Sequence, residues 1–100
     1  MSTAYRIAPL AERDYIEIAT FIARDNPAAA ERMLRRFERK FEMLARQPMI
    51  GESTSDLRRD SRRVIEGVYH IYYRPVPSGP HTVEILRVIH GARDVGPDMF

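Results

Sequence analysis

Arginine is the residue this chain offers most freely for chemistry. Of its 16 basic side chains one is a lysine, Lys40, and the rest are arginine. A genome rich in arginine codons would give the same excess. A guanidinium is planar and permanently charged, so it forks onto phosphate or carboxylate but serves poorly as an acid or base. The densest group is Arg58, Arg59, Arg62 and Arg63, with Arg74, Arg87 and Arg93 further along. Such a group could hold phosphates or a partner's carboxylates, or stand as a solvated loop edge. Proton transfer would fall to His70, His81, His90 or a tyrosine. His90 stands just before Gly91, where it reads either as a general acid or base or as a strand-end residue. Tyrosines among arginines could also stack on and clamp single-stranded RNA. No histidine has ligand spacing to another histidine or an acid, so no metal site is expected. With no cysteine, disulfides, thiolate sites and cysteine nucleophiles are excluded. There is no Gly-rich phosphate loop and no G-x-S-x-G, and no cofactor is implied.

These residues need a scaffold, and 100 residues allow one domain, spanning 1–100, with a single core and a thin stability margin. Hydrophobic content of 44% and charged content of 30% fit a soluble protein. No apolar run approaches the roughly 20 residues of a membrane span, and Met1-Ser2-Thr3-Ala4 shows no signal pattern. A cytoplasmic protein without membrane contact is expected.

Tyr5-Arg6-Ile7-Ala8 alternates into Pro9 and reads as a first strand. Over residues 10–24, Ala11, Tyr15, Ile18, Ala19 and Ile22 stack on one helical face. Asn26 and Pro27 suit the cap and first position of a second helix, 27–46. Its seam is Ala30, Leu34, Phe37, Phe41 and Leu44. Its remaining charges, from Glu31 to Arg46, read as a solvated face in which Glu31–Arg35 and Glu42–Arg46 have helix-pair spacing. The short link makes the two helices an antiparallel hairpin. Pro48 and Gly51 stop the second helix. A polar stretch with a possible turn at 56–60 follows, then strands at 63–66 and 69–74, a proline loop, and a last strand at 82–90. The order β-α-α-β-β-β predicts an α+β fold, an antiparallel meander with a helical hairpin on one face. The place of the first strand stays open.

Strict alternation along the last strand would put Val83, Ile85, Arg87 and Ile89 on one face and Glu84, Leu86, Val88 and His90 on the other. On the preceding strand, Tyr69, Ile71 and Tyr73 would share one face and His70, Tyr72 and Arg74 the other. Two helices cover one face, so Arg87 is expected on the uncovered one, with Ile85 and Ile89 open beside it. A partner, the tail at 95–100, or both would complete the fold.

In this order the motifs resemble the ParE toxins of the RelE/ParE superfamily of type II toxin–antitoxin modules. The resemblance covers about residues 5–94. It is carried by Tyr5-Arg6-Ile7, Ala11-x-x-Asp14-x-x-x-Ile18, Pro27-x-x-Ala30, Leu44-Ala45-x-x-Pro48-x-x-Gly51, Arg62, Gly67-x-Tyr69-x-Ile71-x-Tyr73-Arg74, and the run from Val83 to Asp94. The resemblance implies the RelE/ParE-like fold and a ParD-like antitoxin whose flexible segment folds onto the toxin. It also implies operator DNA reached only through that antitoxin. RelE-type members cut messenger RNA on the ribosome with a basic site. ParE-type members poison DNA gyrase without known catalytic residues. Arg62 and Arg87 resemble the ribonuclease arginines, and His90 or Tyr73 would have to supply the proton transfers. The His90-Gly91-Ala92-Arg93-Asp94 ending is similar to the ParE one. The resemblance therefore implies a non-enzymatic gyrase inhibitor, with a ribosome-dependent ribonuclease or an antitoxin-binding fold without toxicity as alternatives. Contacts to target or antitoxin are expected at Arg58, Arg62, Tyr73, Arg74, Arg87, His90 and Arg93.

Overall fold

A computed structural model describes residues 4–100. Residues 1–3, most of the stretch read above for a signal pattern, lie outside the described part. Strand β1 (Tyr5–Ile7) leads into helix α1 (Pro9–Ala23), and α2 (Pro27–Arg46) follows after a three-residue link. A two-residue strand β2 (Glu52–Ser53), β3 (Arg62–Glu66), β4 (Tyr69–Pro75) and β5 (Val83–His90) complete the sheet. Proline fixes the first turn of each helix. Asn26 caps α2 by accepting the Ala29 amide at 3.0 Å.

The sheet order is β1-β5-β4-β3-β2. Strands β3, β4 and β5 form the predicted antiparallel meander. The first strand lies at one edge, parallel to β5, and pairs only residues 83–85. At the other edge, β2 pairs with the start of β3 inside a stretch read as polar loop. Two residues carry no periodicity, so that strand had no signal.

The helical hairpin covers one face. Phe37, Phe41 and Leu44 of α2 and Ala11 of α1 pack on Ile71, Tyr73, Val83, Ile85 and Val88. Tyr5 and Tyr15 meet Phe41 edge-on at 5.5 and 6.2 Å. The second face is also closed. Tyr72, Leu86 and Ile89 are buried there beneath Leu57, Val95, Met99 and Phe100. The Phe100 ring stands 5.3 Å from that of Tyr72, edge to face. The tail, together with Leu57, covers this part of the sheet.

Alternation fails on β5 for a definite reason. A bulge lies between Tyr72 and Tyr73: Tyr72 faces Arg87 and Tyr73 faces Ile85, leaving Leu86 as the extra residue. One inserted residue reverses facing for everything after it. Val83, Ile85 and Val88 therefore face the helices, while Leu86 and Ile89 face the tail. The expectation that Ile85 and Ile89 lie open is overturned; they are 0% and 2% exposed.

Tyr73 ties the sheet to the loop after α2. Its hydroxyl donates to the Pro48 carbonyl at 2.8 Å and accepts the Gly51 amide at 2.9 Å. A side chain on Gly51 would come within 2.7 Å of that hydroxyl and 2.8 Å of the Arg63 carbonyl, so only glycine fits. Tyr73→Phe leaves a buried N–H and a carbonyl short of a partner. It should cost about 1–3 kcal/mol, read as a lower urea midpoint with an unchanged slope. An unaltered midpoint would mean that the loop rearranges to meet water.

Candidate functional site

The seven expected contact residues do not form one site. Tyr73 is fully buried, with both hydrogen bonds committed inside the protein. Burial, opposed by the Gly51 amide and the charge of Arg62, holds its hydroxyl above the ordinary 10.0. This corrects the expectation of a contact residue: Tyr73 cannot reach a partner without opening the core.

Arg87 also departs from its expected role. It does face away from the helices, opposite Tyr72, but its side chain is only 13% exposed. Because β1 stops at the partner of Ile85, the rest of β5 has no strand on that side. Asp14 of α1 fills the gap. Its carboxylate accepts Arg87 Nε at 2.7 Å, Arg87 Nη2 at 2.9 Å and the Val88 amide at 2.9 Å. Arg87 Nη1 donates to the Met99 carbonyl at 2.5 Å. The Asp14 hydrogen bond raises the Arg87 pKa further, against the opposing effect of burial. The guanidinium thus pins helix, strand edge and tail together, and is a structural clasp rather than an open contact.

The remaining five reach the surface in three places. Arg62 and Arg74 line a cleft of about 420 Å³ with Ser53, Ser55 and Asp60. Arg62 Nη1 donates to the Gly51 carbonyl at 2.7 Å, which holds the loop after α2 against β3. Arg74 Nε donates to Glu84 at 2.9 Å, and Arg6 donates to the other oxygen at 3.1 Å. Arg58 lines a second cleft, of about 330 Å³, with Leu10, Leu86 and Phe100. His90 and Arg93 line the third and largest, about 560 Å³, against Asp14, Glu17 and Phe21 of α1. Within it His90 Nδ1 accepts the Ala92 amide at 3.0 Å, and the His90 ring meets Tyr69 edge-on at 5.7 Å. Arg93 has no side-chain partner among the described residues.

Sequence reasoning missed Asp14 as the partner of Arg87. The signal was present: an aspartate at the flank of the apolar stripe of α1 and an arginine between two isoleucines are each costly to bury alone. It also missed Phe21, 68% exposed beside the third cleft. The signal was there too: Phe21 falls about 100° off the apolar stripe of α1 at roughly 100° per residue, so periodicity places it outside the buried face. Among the described residues, no cluster of His, Cys, Asp or Glu could hold a metal and no helix is long and apolar enough to cross a membrane.

Two measurements follow from these pairs. Arg87→Ala strands the Asp14 carboxylate, itself only 10% exposed. The loss should be about 3 kcal/mol, seen as a fall of more than about 10 °C in the melting temperature of the free protein. Asp14→Asn, which keeps an acceptor for the Val88 amide but leaves the Arg87 guanidinium without a counter-charge, should lose a comparable amount; a negligible loss would deny the clasp its ionic character. Burial pushes Glu84 upward, but Arg74 and Arg6 outweigh it and hold the carboxyl below its ordinary 4.5. A depressed folded pKa means that the unfolded chain binds the proton first, so stability is full above pH 4.5 and falls as pH drops below it. Glu84→Gln should flatten that part of the pH–stability curve. An unchanged slope would show that other carboxyls set it.

The chain was compared with known proteins. It matches the family described as ParE toxin of type II toxin-antitoxin system, parDE, over residues 5–95. Two relatives, each called Toxin ParE1, come from Mycobacterium tuberculosis strains CDC 1551 / Oshkosh and ATCC 25618 / H37Rv. Each is 30% identical over 97 residues, covering 95% of this chain and 96% of the relative. The helical hairpin on a five-stranded sheet agrees with the RelE/ParE-like fold. Family membership implies an antitoxin as partner. The chain belongs to the ParE toxin family of type II toxin–antitoxin systems.

Proposed function

We propose that this toxin inhibits DNA gyrase, without catalysis of its own, and is neutralised by a ParD-like antitoxin. The observation that supports the choice of target is that Tyr73, one of the two groups the resemblance offers for proton transfer, is withdrawn from the surface and lies far from the other, His90. RNA cleavage through the 2′-hydroxyl needs one group to remove its proton and another to protonate the leaving oxygen. Tyr73 is buried with its hydroxyl committed to the loop after α2. His90 lies opposite Tyr69, four residues away along β4, or about 13 Å at strand spacing. The two cannot meet one nucleotide. The permanently charged arginines do not replace them. What the surface offers instead is positive charge for binding at Arg58, Arg62 and Arg93, with the His90 ring and with Arg74, whose Nε Glu84 already engages, and these are the contact residues of the proposal.

Purified toxin should abolish gyrase supercoiling or trap cleaved DNA, leave messenger RNA intact on translating ribosomes, and lose its effect when the antitoxin is added. Cut messenger RNA beside normal supercoiling would overturn the gyrase reading, and His90 would then be the first residue to replace.

A further inference from the structure

Helix α2 divides its surface into three sectors. The apolar sector faces the core through Ala30, Met33, Phe37, Phe41, Leu44 and Ala45. Arg32, Arg36, Arg39, Met43 and Arg46 follow a 4-3-4-3 spacing, which stacks them on one helical face. Glu31, Glu38 and Glu42 stack on another, about 80° away from the arginines at roughly 100° per residue. The surroundings confirm both placements. Arg36 and Lys40 reach Glu66 of β3, at 2.7 and 3.6 Å. The acids lie toward β1 and α1: burial first, then Glu38 and Glu42, holds Tyr5 above its ordinary pKa, and burial, Glu12 and Glu38 do the same for Tyr15.

The arginine sector is poorly neutralised. Glu31 takes Arg35 at 2.7 Å, and Glu66 must serve Arg36 and Lys40 together. Glu42 stands four residues before Arg46, yet they form no ion pair. Among the described residues Arg32, Arg39 and Arg46 have no ionic partner. All three are exposed. They span about 20 Å along the helix at 1.5 Å per residue. Arg36 and Arg39 line a cleft of about 180 Å³ with Lys40, Met43 and Glu66, smaller than the roughly 300–1,000 Å³ of a small-molecule pocket, and the row as a whole is open. It fits a ligand that repeats negative charge along a line, and the guanidinium fork fits phosphate oxygens.

We propose that the Arg32-Arg36-Arg39-Arg46 face of α2 binds the phosphate backbone of duplex DNA directly and without sequence preference. This contact is separate from any operator recognition by an antitoxin, and it does not rest on the gyrase reading. Arginines that touch phosphates position a protein on DNA without reading bases.

The test is fluorescence anisotropy with a labelled duplex of 20 base pairs and the full-length chain, over a series of salt concentrations. Wild-type toxin should bind two unrelated duplexes equally. Its log–log salt slope should be about −0.9 for each phosphate neutralised, or roughly −3 for three contacts. Combined Arg32→Gln, Arg39→Gln and Arg46→Gln should weaken binding at least tenfold at low salt and remove most of that slope. Glutamine has nearly the helix propensity of arginine, so circular dichroism should stay unchanged. Each single change should flatten the slope by about 0.9, a reading that survives if the triple variant folds poorly. Glu31→Gln with Glu38→Gln and Glu42→Gln should not weaken binding. The proposal falls if folded variants keep the wild-type affinity and slope. It falls too if the loss follows Arg58 and Arg93 instead, or if an acidic peptide binds this face and DNA does not.

Discussion

One ion pair joins the parts of this fold that no strand ladder connects. The first strand is three residues long, so β5 runs beyond it with an unpaired edge. An unpaired edge inside a compact domain is both an unsatisfied backbone and an invitation to another chain. Asp14 answers the first problem by accepting the Val88 amide, and in the same place accepts two bonds from Arg87. Arg87 in turn carries the Met99 carbonyl. The tail that lies over Tyr72, Leu86 and Ile89 is thus fastened through the sheet to the first helix. Charge, backbone satisfaction and apolar cover all depend on the same two side chains. That dependence explains why a lone arginine is tolerated among the most apolar residues of the sequence.

The bulge in β5 is the second constraint, and it makes the two-sided core possible. Without Leu86 as an extra residue, Ile89 would share a face with Val83 and Ile85, and the tail face would lose one of its three buried anchors. A bulge also deepens local twist, next to the place where β1 gives way to α1. This is the feature that the sequence concealed. Helix faces were legible, because Tyr15, Ile18, Phe37, Phe41 and Leu44 repeat at helical spacing and all reach the core. The meander was legible from turn residues between β-branched runs. Neither signal contains the count of residues opposite a partner strand, which is a property of two strands together. Anchored on Arg87, the facing of β5 was therefore read correctly from Arg87 to His90, while Val83, Ile85 and Leu86, on the other side of the bulge, were assigned to the wrong face.

The site was less legible than the fold for a related reason. A residue's type says what it can bind but not whether the protein has already used it. Tyr73 and Arg87 have the chemistry of contact residues and are spent on the loop after α2 and on Asp14. Arg6, Arg63 and Arg74 meet carboxylates within the sheet. Arg58 and Arg93, of the same type, stay free at clefts. Long-range pairing decided the difference, over 73 residues in the case of Asp14 and Arg87.

The same distinction bears on what a partner meets. A formal net charge of +2 suggests a weakly basic protein, but net charge counts paired and unpaired groups alike. Removing the internal pairs leaves positive charge concentrated along α2 and at the cleft corners, and negative charge along the opposite shoulder of the same helix. Those shoulders are about 80° apart around the helix, or roughly 6–8 Å, within the screening length of about 8 Å at physiological salt. The acidic sector therefore weakens the field above the arginines, but among the described residues Arg32, Arg39 and Arg46, which have no ionic partner, outnumber Glu38 and Glu42. A polyanion approaching that face encounters an arginine array, whatever the sum over the whole chain. Specificity for a protein partner must come from elsewhere, because an array of this kind recognises spacing and charge but not shape. The clefts flanked by Phe21, Leu10 and the tail carry apolar surface of the kind such recognition requires.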